Sequence, residues 1–77
     1  MSNQETFNIE VTDTFGGEAN YSWVRRYTVK AKSMRGAAIY LGRLEGGKWR
    51  KDMDCGDMRR YKMIGACICA FITYSED

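Results

Sequence analysis

One segment of this 77-residue chain has the periodicity of a helix, and almost all of the rest has the periodicity of strands. Its apolar residues recur at spacings of one to three positions along 34–44, which places them on one face of a helix with 3.6 residues per turn. A single helix can cover only one face of a sheet, so this segment restricts the chain to a two-layer α+β fold. The apolar residues are Met34, Ala37, Ala38, Leu41 and Leu44.

Signals for both ends of a helix flank this segment. Ser33 precedes it, where its hydroxyl can accept a hydrogen bond from a free amide of the first helical turn. Gly46 and Gly47 follow it, and glycine readily takes the left-handed conformation that closes a helix. The sequence therefore predicts a helix that begins after Ser33 and ends before Gly46.

Two strands are predicted ahead of the helix. Residues 7–15 alternate between apolar and polar, as a half-buried strand does, and Asp13 is the one polar residue on the apolar face. Residues 16–20 contain glycine and polar residues and predict a five-residue hairpin loop, after which 21–31 forms the returning strand. The apolar faces consist of Phe7, Ile9, Val11 and Phe15 in the first strand, and of Tyr21, Trp23, Tyr27, Val29 and Ala31 in the second.

Three more strands are predicted after the helix, over 48–53, 58–63 and 66–74. An acidic turn over 54–57 joins the first two of them. In the first strand, Trp49, Lys51 and Met53 are expected to share a face. The last strand is apolar on both faces, so we expect it near the centre of the sheet.

The predicted order of elements is therefore ββαβββ, an α+β fold with one helix packed on an antiparallel sheet. A chain of 77 residues has a core only just large enough to fold without help, which predicts a single domain over 1–77. Residues 1–6 and 75–77 are expected to fray. The order of the strands within the sheet does not follow from the sequence.

The composition is that of an ordinary globular protein, with 44% hydrophobic and 29% charged residues. No run approaches the roughly 18 apolar residues that a membrane span needs, so we expect no membrane partner. The N-terminus is polar and acidic, and it lacks the basic and apolar regions of a signal peptide. We therefore expect a cytoplasmic protein.

Residues that usually carry catalysis or bind metals are scarce. The chain has no histidine, which is the commonest general base and metal ligand. Its three cysteines are an odd number at irregular spacing, and Cys67 and Cys69 lie in an apolar segment, where cysteine is usually a small buried hydrophobe. Asp52, Asp54 and Asp57 lack the spacing of a calcium-binding loop. We therefore predict no enzyme, no cofactor and no metal site.

The charge of the chain is unevenly distributed. All 12 lysines and arginines lie between Arg25 and Lys62, where only four acids oppose them, so this basic segment has a net charge of +8. The remaining residues hold six acids and no bases. Such an asymmetry can mark a surface that binds nucleic acid or an acidic protein partner.

Cationic and aromatic side chains are interleaved within the basic segment. Arginine beside an aromatic ring suits the anchors of a protein interface, and it also suits phosphate contact combined with base stacking. A third interpretation is a solvated polar face whose cations pair with the acids of the first strand. The predicted partner-binding residues are Arg25, Arg26, Trp49, Arg50, Lys51, Arg59, Arg60 and Tyr61.

The junction between the second strand and the helix resembles a pattern found in small proteins of phages and mobile elements. Residues 29–38 read V-K-A-K-S-M-R-G-A-A, and in those proteins a strand ends in V-x-A-x-S before a helix that opens with small residues. The chain is nearest in this respect to small anti-CRISPR proteins, some of which fold as one helix on an antiparallel sheet and block a CRISPR effector with charged side chains. The matching positions are structural, so the resemblance assigns no functional residue.

The sequence and this resemblance lead to one expected function and one alternative. We expect a small, phage-encoded, non-enzymatic protein that inhibits a host defence complex in the host-cell cytoplasm by occluding a surface of a larger host protein or ribonucleoprotein. The alternative is a basic nucleic-acid-binding module that tracks phosphates. A homodimer through an uncovered sheet face or an exposed edge strand is compatible with either, because one helix gives little cover to five strands.

Overall fold

The computed structural model describes residues 4–15 and 18–75, and over this range one helix packs on one face of a five-stranded antiparallel sheet. The predicted α+β class and the order ββαβββ are confirmed. β1 begins inside the segment expected to fray, and the Ser75 amide donates a hydrogen bond to the Thr6 carbonyl over 2.9 Å. The elements are β1 (Glu5–Phe15), β2 (Glu18–Ala31), α1 (Met34–Leu44), β3 (Trp49–Asp54), β4 (Met58–Met63) and β5 (Ile68–Tyr74).

The helix begins and ends where its flanking signals predict. The Ser33 hydroxyl accepts a hydrogen bond from the Gly36 amide over 3.1 Å, and Gly46 and Gly47 follow the helix with φ values of 76°. Leu44, predicted on the buried face, is instead exposed at the last helical position, beyond the part of the helix that reaches the core. The buried residues of α1 are Met34, Ala37 and Leu41.

The strands lie in the order β2-β1-β5-β4-β3, so β5 occupies the centre of the sheet, as its two apolar faces predict. β2 and β3 form the two edges, and the segment containing α1 connects them across one face of the sheet. We call this the helix face and the opposite one the open face. The helix packs against β2 and β5, and it leaves part of the helix face uncovered over β3 and β4.

The core lies between α1 and the centre of the sheet. Alternation along β1 and β5 sends apolar side chains to the helix face, where the register places Ile9 opposite Ile72 and Val11 opposite Ala70. Burying one large apolar side chain stabilises the fold by about 1.5–3 kcal/mol. The completely buried residues of this core are Phe7, Ile9, Val11, Ala37, Leu41, Ala70 and Ile72.

The β1–β2 hairpin is longer than predicted. β2 begins at Glu18, so residues 18–20, predicted as loop, extend the strand instead. Pairing of their backbone with the end of β1 outweighs their polar composition. Residues 16–17 and the side chain of Phe15, predicted on the apolar face, lie outside the described residues.

Asp13 stabilises a β-bulge in this hairpin. β2 bulges opposite Asp13, because more residues of β2 than of β1 separate successive pairs there. The Asp13 carboxylate accepts hydrogen bonds from the Ser22 hydroxyl, from the Asn20 side chain over 3.0 Å and from the Ser22 amide over 3.1 Å. The Ser22 hydroxyl, followed by Asn20, lowers the pKa of Asp13 to about 2. The one polar residue on the apolar face of β1 is thus the acceptor that organises the bulge.

The bulge also reverses the direction of Tyr21. Its φ is 58°, and its ring stacks on Phe71 with 6.2 Å between the centroids. Phe71 pairs with Glu10 on the open face, whereas the sequence predicts Tyr21 on the same face as Tyr27. That prediction is wrong because a period of two assumes an uninterrupted strand.

A second bulge interrupts β3. Lys51 pairs with Tyr61, but Met53 pairs with Arg60, so Asp52 is the extra residue between them. Met53 therefore does not share a face with Lys51, contrary to the prediction. The extra residue shifts every following side chain of β3 to the other face.

β5 begins at Ile68, later than predicted, so Cys67 lies outside the strand and Cys69 lies within it. Cys67 lies in the preceding turn and is exposed, whereas Cys69 is completely buried on the open side of β5. Burial is the main cause that raises the pKa of the Cys69 thiol. Cys69 is therefore a protonated, inaccessible side chain at neutral pH.

Candidate functional site

The uncovered part of the helix face forms a groove of about 560 Å³ between α1 and strands β3 and β4. One wall is the exposed side of the helix, and the floor is the helix face of the two strands. Ligand sites of proteins commonly have volumes of about 300–1,000 Å³. The residues that line the groove are Arg35, Ala38, Ile39, Gly42, Gly47, Trp49, Lys51, Arg59 and Tyr61.

Strand alternation explains which side chains form the floor. Arg59 and Tyr61 alternate with Arg60 along β4, so both of them face the helix side while Arg60 faces the open side. Trp49 and Lys51 of β3 face the same way, before the bulge. The loop after the helix supports this arrangement, because the Trp49 indole donates a hydrogen bond to the carbonyl of a loop glycine over 3.0 Å.

Asp54 holds the two cations of the floor in place. Its Oδ2 atom lies 3.2 Å from Arg59 Nε and 3.5 Å from Lys51 Nζ, and its Oδ1 accepts a hydrogen bond from the Gly56 amide over 2.9 Å. The Gly56 amide is the largest cause that lowers the pKa of Asp54, followed by the charges of Arg59 and Lys51. Asp54 is therefore ionised at neutral pH, and one carboxylate orients two cations.

Arg59 remains incompletely satisfied by these contacts. Its Nε atom is buried and makes no hydrogen bond of good geometry within the described residues, although it lies close to Asp54. The Tyr61 side chain, followed by Asp54, raises the pKa of Arg59. About a quarter of the side chain, 26%, is exposed, so this fixed cation can be reached from the groove.

The aromatic residues of the floor expose little ring surface. Tyr61 is only 8% exposed and belongs to the core, and Trp49 is half-buried with its indole N–H already bonded. The exposed aromatic residues lie elsewhere: Tyr21 stacks on Phe71, and Trp23 lies beneath the Arg25 guanidinium at 5.2 Å. The floor therefore offers an apolar surface and not a set of open ring faces.

The predicted partner-binding residues do not form one surface. Four of them, Trp49, Lys51, Arg59 and Tyr61, line the groove. The remaining four lie outside it: two belong to β2, at the opposite edge of the sheet, and two lie on the open side of β3 and β4. These four are Arg25, Arg26, Arg50 and Arg60.

No family model, curated protein or solved structure matches this chain.

Ion pairs account for most of the predicted cations outside the groove. Arg26 Nε lies 2.9 Å from Glu10, and Arg60 Nε lies 2.7 Å from Asp52. Arg26 pairs with the first strand, as the solvated-face interpretation predicts, but Arg60 pairs with an acid of the basic segment itself. On the open face, Arg26 and Arg60 thus each have an acidic partner within the sheet.

Five groove residues were not predicted as binding residues, and two of these have large side chains. Arg35 and Ile39 lie on the exposed side of α1, and Ile39 is 61% exposed. The available signal was that Ile39 is a large apolar residue outside the apolar stripe of the helix. The spacing of apolar residues along the helix does not predict that this side of the helix borders an uncovered part of the sheet.

Two other features that would indicate a function are a metal-binding group and a membrane-spanning helix. Among the described residues, no group of three or more Cys, Asp and Glu side chains is arranged to hold a metal ion. Within the same part of the chain, no helix has the length and apolar character needed to cross a membrane. The groove is therefore the feature from which a function can be inferred.

Proposed function

We propose that this chain is a non-enzymatic binding protein that recognises a larger protein partner through the groove. The observation that carries the proposal is an apolar groove bordered by three cations, Arg35, Lys51 and Arg59. Arginine and large apolar side chains in a concave, partly desolvated surface are typical of the residues that dominate interface energies. Positioned cations add specificity and a faster association with an acidic partner.

The resemblance at residues 29–38 suggests which partner the chain binds and what the binding does. We propose a phage-encoded inhibitor, similar to small anti-CRISPR proteins, that occludes a surface of a host defence complex in the host-cell cytoplasm. The groove supports such a steric mechanism, because occlusion of a surface needs no catalytic group. The resemblance to small phage proteins supports the choice of a defence complex as the target.

A nucleic-acid-binding module is the second candidate. The +8 charge of the basic segment favours it, since cations that neutralise phosphates supply most of non-specific binding. The buried Tyr61 and the half-buried Trp49 disfavour it, because base stacking requires exposed ring faces. The two candidates differ in salt response, which is steep for phosphate contacts and weaker for an interface with apolar anchors.

Affinity capture from a bacterial lysate with an active defence system tests the proposal. We expect the tagged chain to retain a stoichiometric protein partner after nuclease treatment. Arg35→Glu should lose that partner without unfolding, because an acid in the first helical turn is favourable. Lys30→Glu, which changes the net charge equally on the exposed β2 edge, should retain it. Recovery of nucleic acid alone, or loss of the partner on nuclease treatment, would favour the second candidate.

A further inference from the structure

The groove has two chemically distinct parts on its helix wall. Arg35 and Ile39 are four residues apart on α1, so they lie on the same side of the helix about 5–6 Å apart. Both are exposed, and both line the groove. A ligand that occupies this wall therefore meets one cation and one aliphatic side chain side by side.

The charges of the groove are unbalanced. Among the described residues no acid lines it, and Lys51 and Arg59 share one carboxylate, that of Asp54. Arg35 makes no ion pair within 4 Å over the same ranges. Three cations thus border the groove and one carboxylate lies at the end of its floor, which favours an occupant with negative charge.

The apolar side chains of the groove also restrict which ligand can bind. Ile39 is the large apolar side chain of α1 with the greatest exposure, and Ala38 and the Trp49 ring continue its surface. Covering this surface removes apolar area from water, which favours binding by about 25 cal/mol for each Å². A small inorganic anion would satisfy the cations and leave this surface wet.

We propose that the groove binds an acidic segment of the partner protein in which a carboxylate and a bulky apolar side chain lie on the same side. This inference rests on the proposed function and names the chemistry of the partner. In an extended segment, positions two apart share a side and are about 6.6 Å apart, which matches the separation of Arg35 and Ile39. The recognised unit is therefore an acidic residue and a large apolar residue that lie two positions apart.

Features of the floor favour this ligand over others. A base cannot stack on Tyr61, which is buried, and the floor offers only the half-buried Trp49 ring besides, so nucleic acid would rely mainly on the cations. Strand addition to β3 is also disfavoured, because the bulge at Asp52 and the surrounding charges blunt that edge. The segment accordingly lies in the groove, between the helix and the floor, and does not extend the sheet.

A nuclear magnetic resonance titration of the full chain, labelled with ¹⁵N, tests the inference. The probe is a short peptide in which glutamate and leucine recur two positions apart with serine between them. Two further ligands serve as comparisons, a peptide with lysine for glutamate and a single-stranded oligonucleotide. We expect the acidic peptide alone to shift the backbone amide signals of Arg35, Ile39, Gly42 and Lys51.

Matched variants show whether the groove is responsible. Arg35→Glu should weaken peptide binding about tenfold or more, which corresponds to about 1.4 kcal/mol, whereas Lys30→Glu should bind like the wild type. Ile39→Ser should weaken binding as well, and Leu44→Ser should not, because Leu44 is exposed on the same helix outside the groove. Equal losses for Arg35→Glu and Lys30→Glu would reveal non-specific charge attraction and overturn the inference.

Other outcomes separate the inference from the proposed function. Groove signals that respond to the oligonucleotide and not to the acidic peptide would overturn the inference in favour of phosphate recognition. Arg35-dependent capture of a protein partner with no peptide binding would leave the proposed function standing and overturn the acidic segment. Specific peptide binding with no captured partner would support the groove chemistry and count against the proposed function.

Discussion

At the scale of single residues, one buried carboxylate secures the end of the helix. Glu45 is the C-cap of α1, where the helix dipole disfavours negative charge, and its side chain is only 4% exposed. It accepts hydrogen bonds from the Tyr27 hydroxyl and from Arg25 Nη1, the latter over 2.9 Å. The hydrogen bond to Glu45 is the main cause that raises the pKa of Tyr27, so the phenol remains a donor. These two donors from β2 compensate a charge that would otherwise be costly to bury.

Tyr27→Phe should lower the free energy of unfolding by about 1–2 kcal/mol, because it leaves a buried carboxylate with one donor fewer. Tyr40→Phe is the matched control, since the Tyr40 hydroxyl makes no hydrogen bond within 4–15 and 18–75. Urea denaturation measures both variants, and a lower midpoint at an unchanged slope is expected for the first alone. Equal midpoints for the two variants would show that the Tyr27–Glu45 contact does not stabilise the helix end.

At the scale of elements, the loop between α1 and β3 shapes the groove. Gly46 and Gly47 both have φ values of 76°, a conformation that residues with a side chain rarely take. A Cβ on Gly46 would meet open space, whereas a Cβ on Gly47 would lie 3.2 Å from Met63 Sδ and Cε and 3.3 Å from Met63 Cγ. Gly47 therefore allows the helix end to approach β4.

Both Gly46→Ala and Gly47→Ala should destabilise the fold by about 1 kcal/mol through the left-handed backbone alone. Gly47→Ala should cost more than this, because Met63 must also move aside. Thermal unfolding followed by circular dichroism compares the two variants directly. A Gly46→Ala variant at least as unstable as Gly47→Ala would contradict the close approach to β4.

At the scale of the whole molecule, strand order divides the basic segment. β2 and β3 are opposite edges of the sheet, and four strand spacings of about 4.8 Å separate them by about 19 Å. Alternation then sends neighbouring arginines to opposite faces, Arg25 with Glu45 on the helix face and Arg26 with Glu10 on the open face. The basic segment of the sequence thus becomes several paired sites and one groove bordered by three cations.

Acid should destabilise the whole molecule. The pKa of Asp13 is lowered from 3.8 to about 2, and Arg60 and the Gly56 amide are the main causes that lower those of Asp52 and Asp54. A carboxyl whose pKa is lower in the folded state contributes stability that is complete above its unfolded pKa and is lost as pH falls through the folded one. We therefore expect stability to decline as pH falls from about 4 towards 2.

The Asp13→Asn variant shows how much of the loss of stability at acidic pH comes from the carboxylate at the β1–β2 bulge. The variant should be less stable than the wild type at neutral pH and should lose less stability between neutral and acidic conditions. Urea midpoints measured across that range give both quantities. An unchanged acid dependence in the variant would show that Asp13 does not gain its low pKa from folding.

The sequence determined the features that depend on neighbouring residues. The period of 34–44 with Ser33 and Gly46 at its ends predicts α1, and the two apolar faces of residues 66–74 predict a central strand, because local spacing sets which side chains share a face. The cation and aromatic content of the groove floor was also visible, in Trp49, Lys51, Arg59 and Tyr61.

The tertiary structure alone decided how these elements meet. The bulges at Asp13 and Asp52 depend on pairing with another strand, so no period within β2 or β3 predicts the reversal of Tyr21 or Met53. The groove depends on a helix that covers β2 and β5 but not β3 and β4, and this is why Arg35 and Ile39 could not be predicted. Long-range packing, and not local spacing, determines which surface is left open.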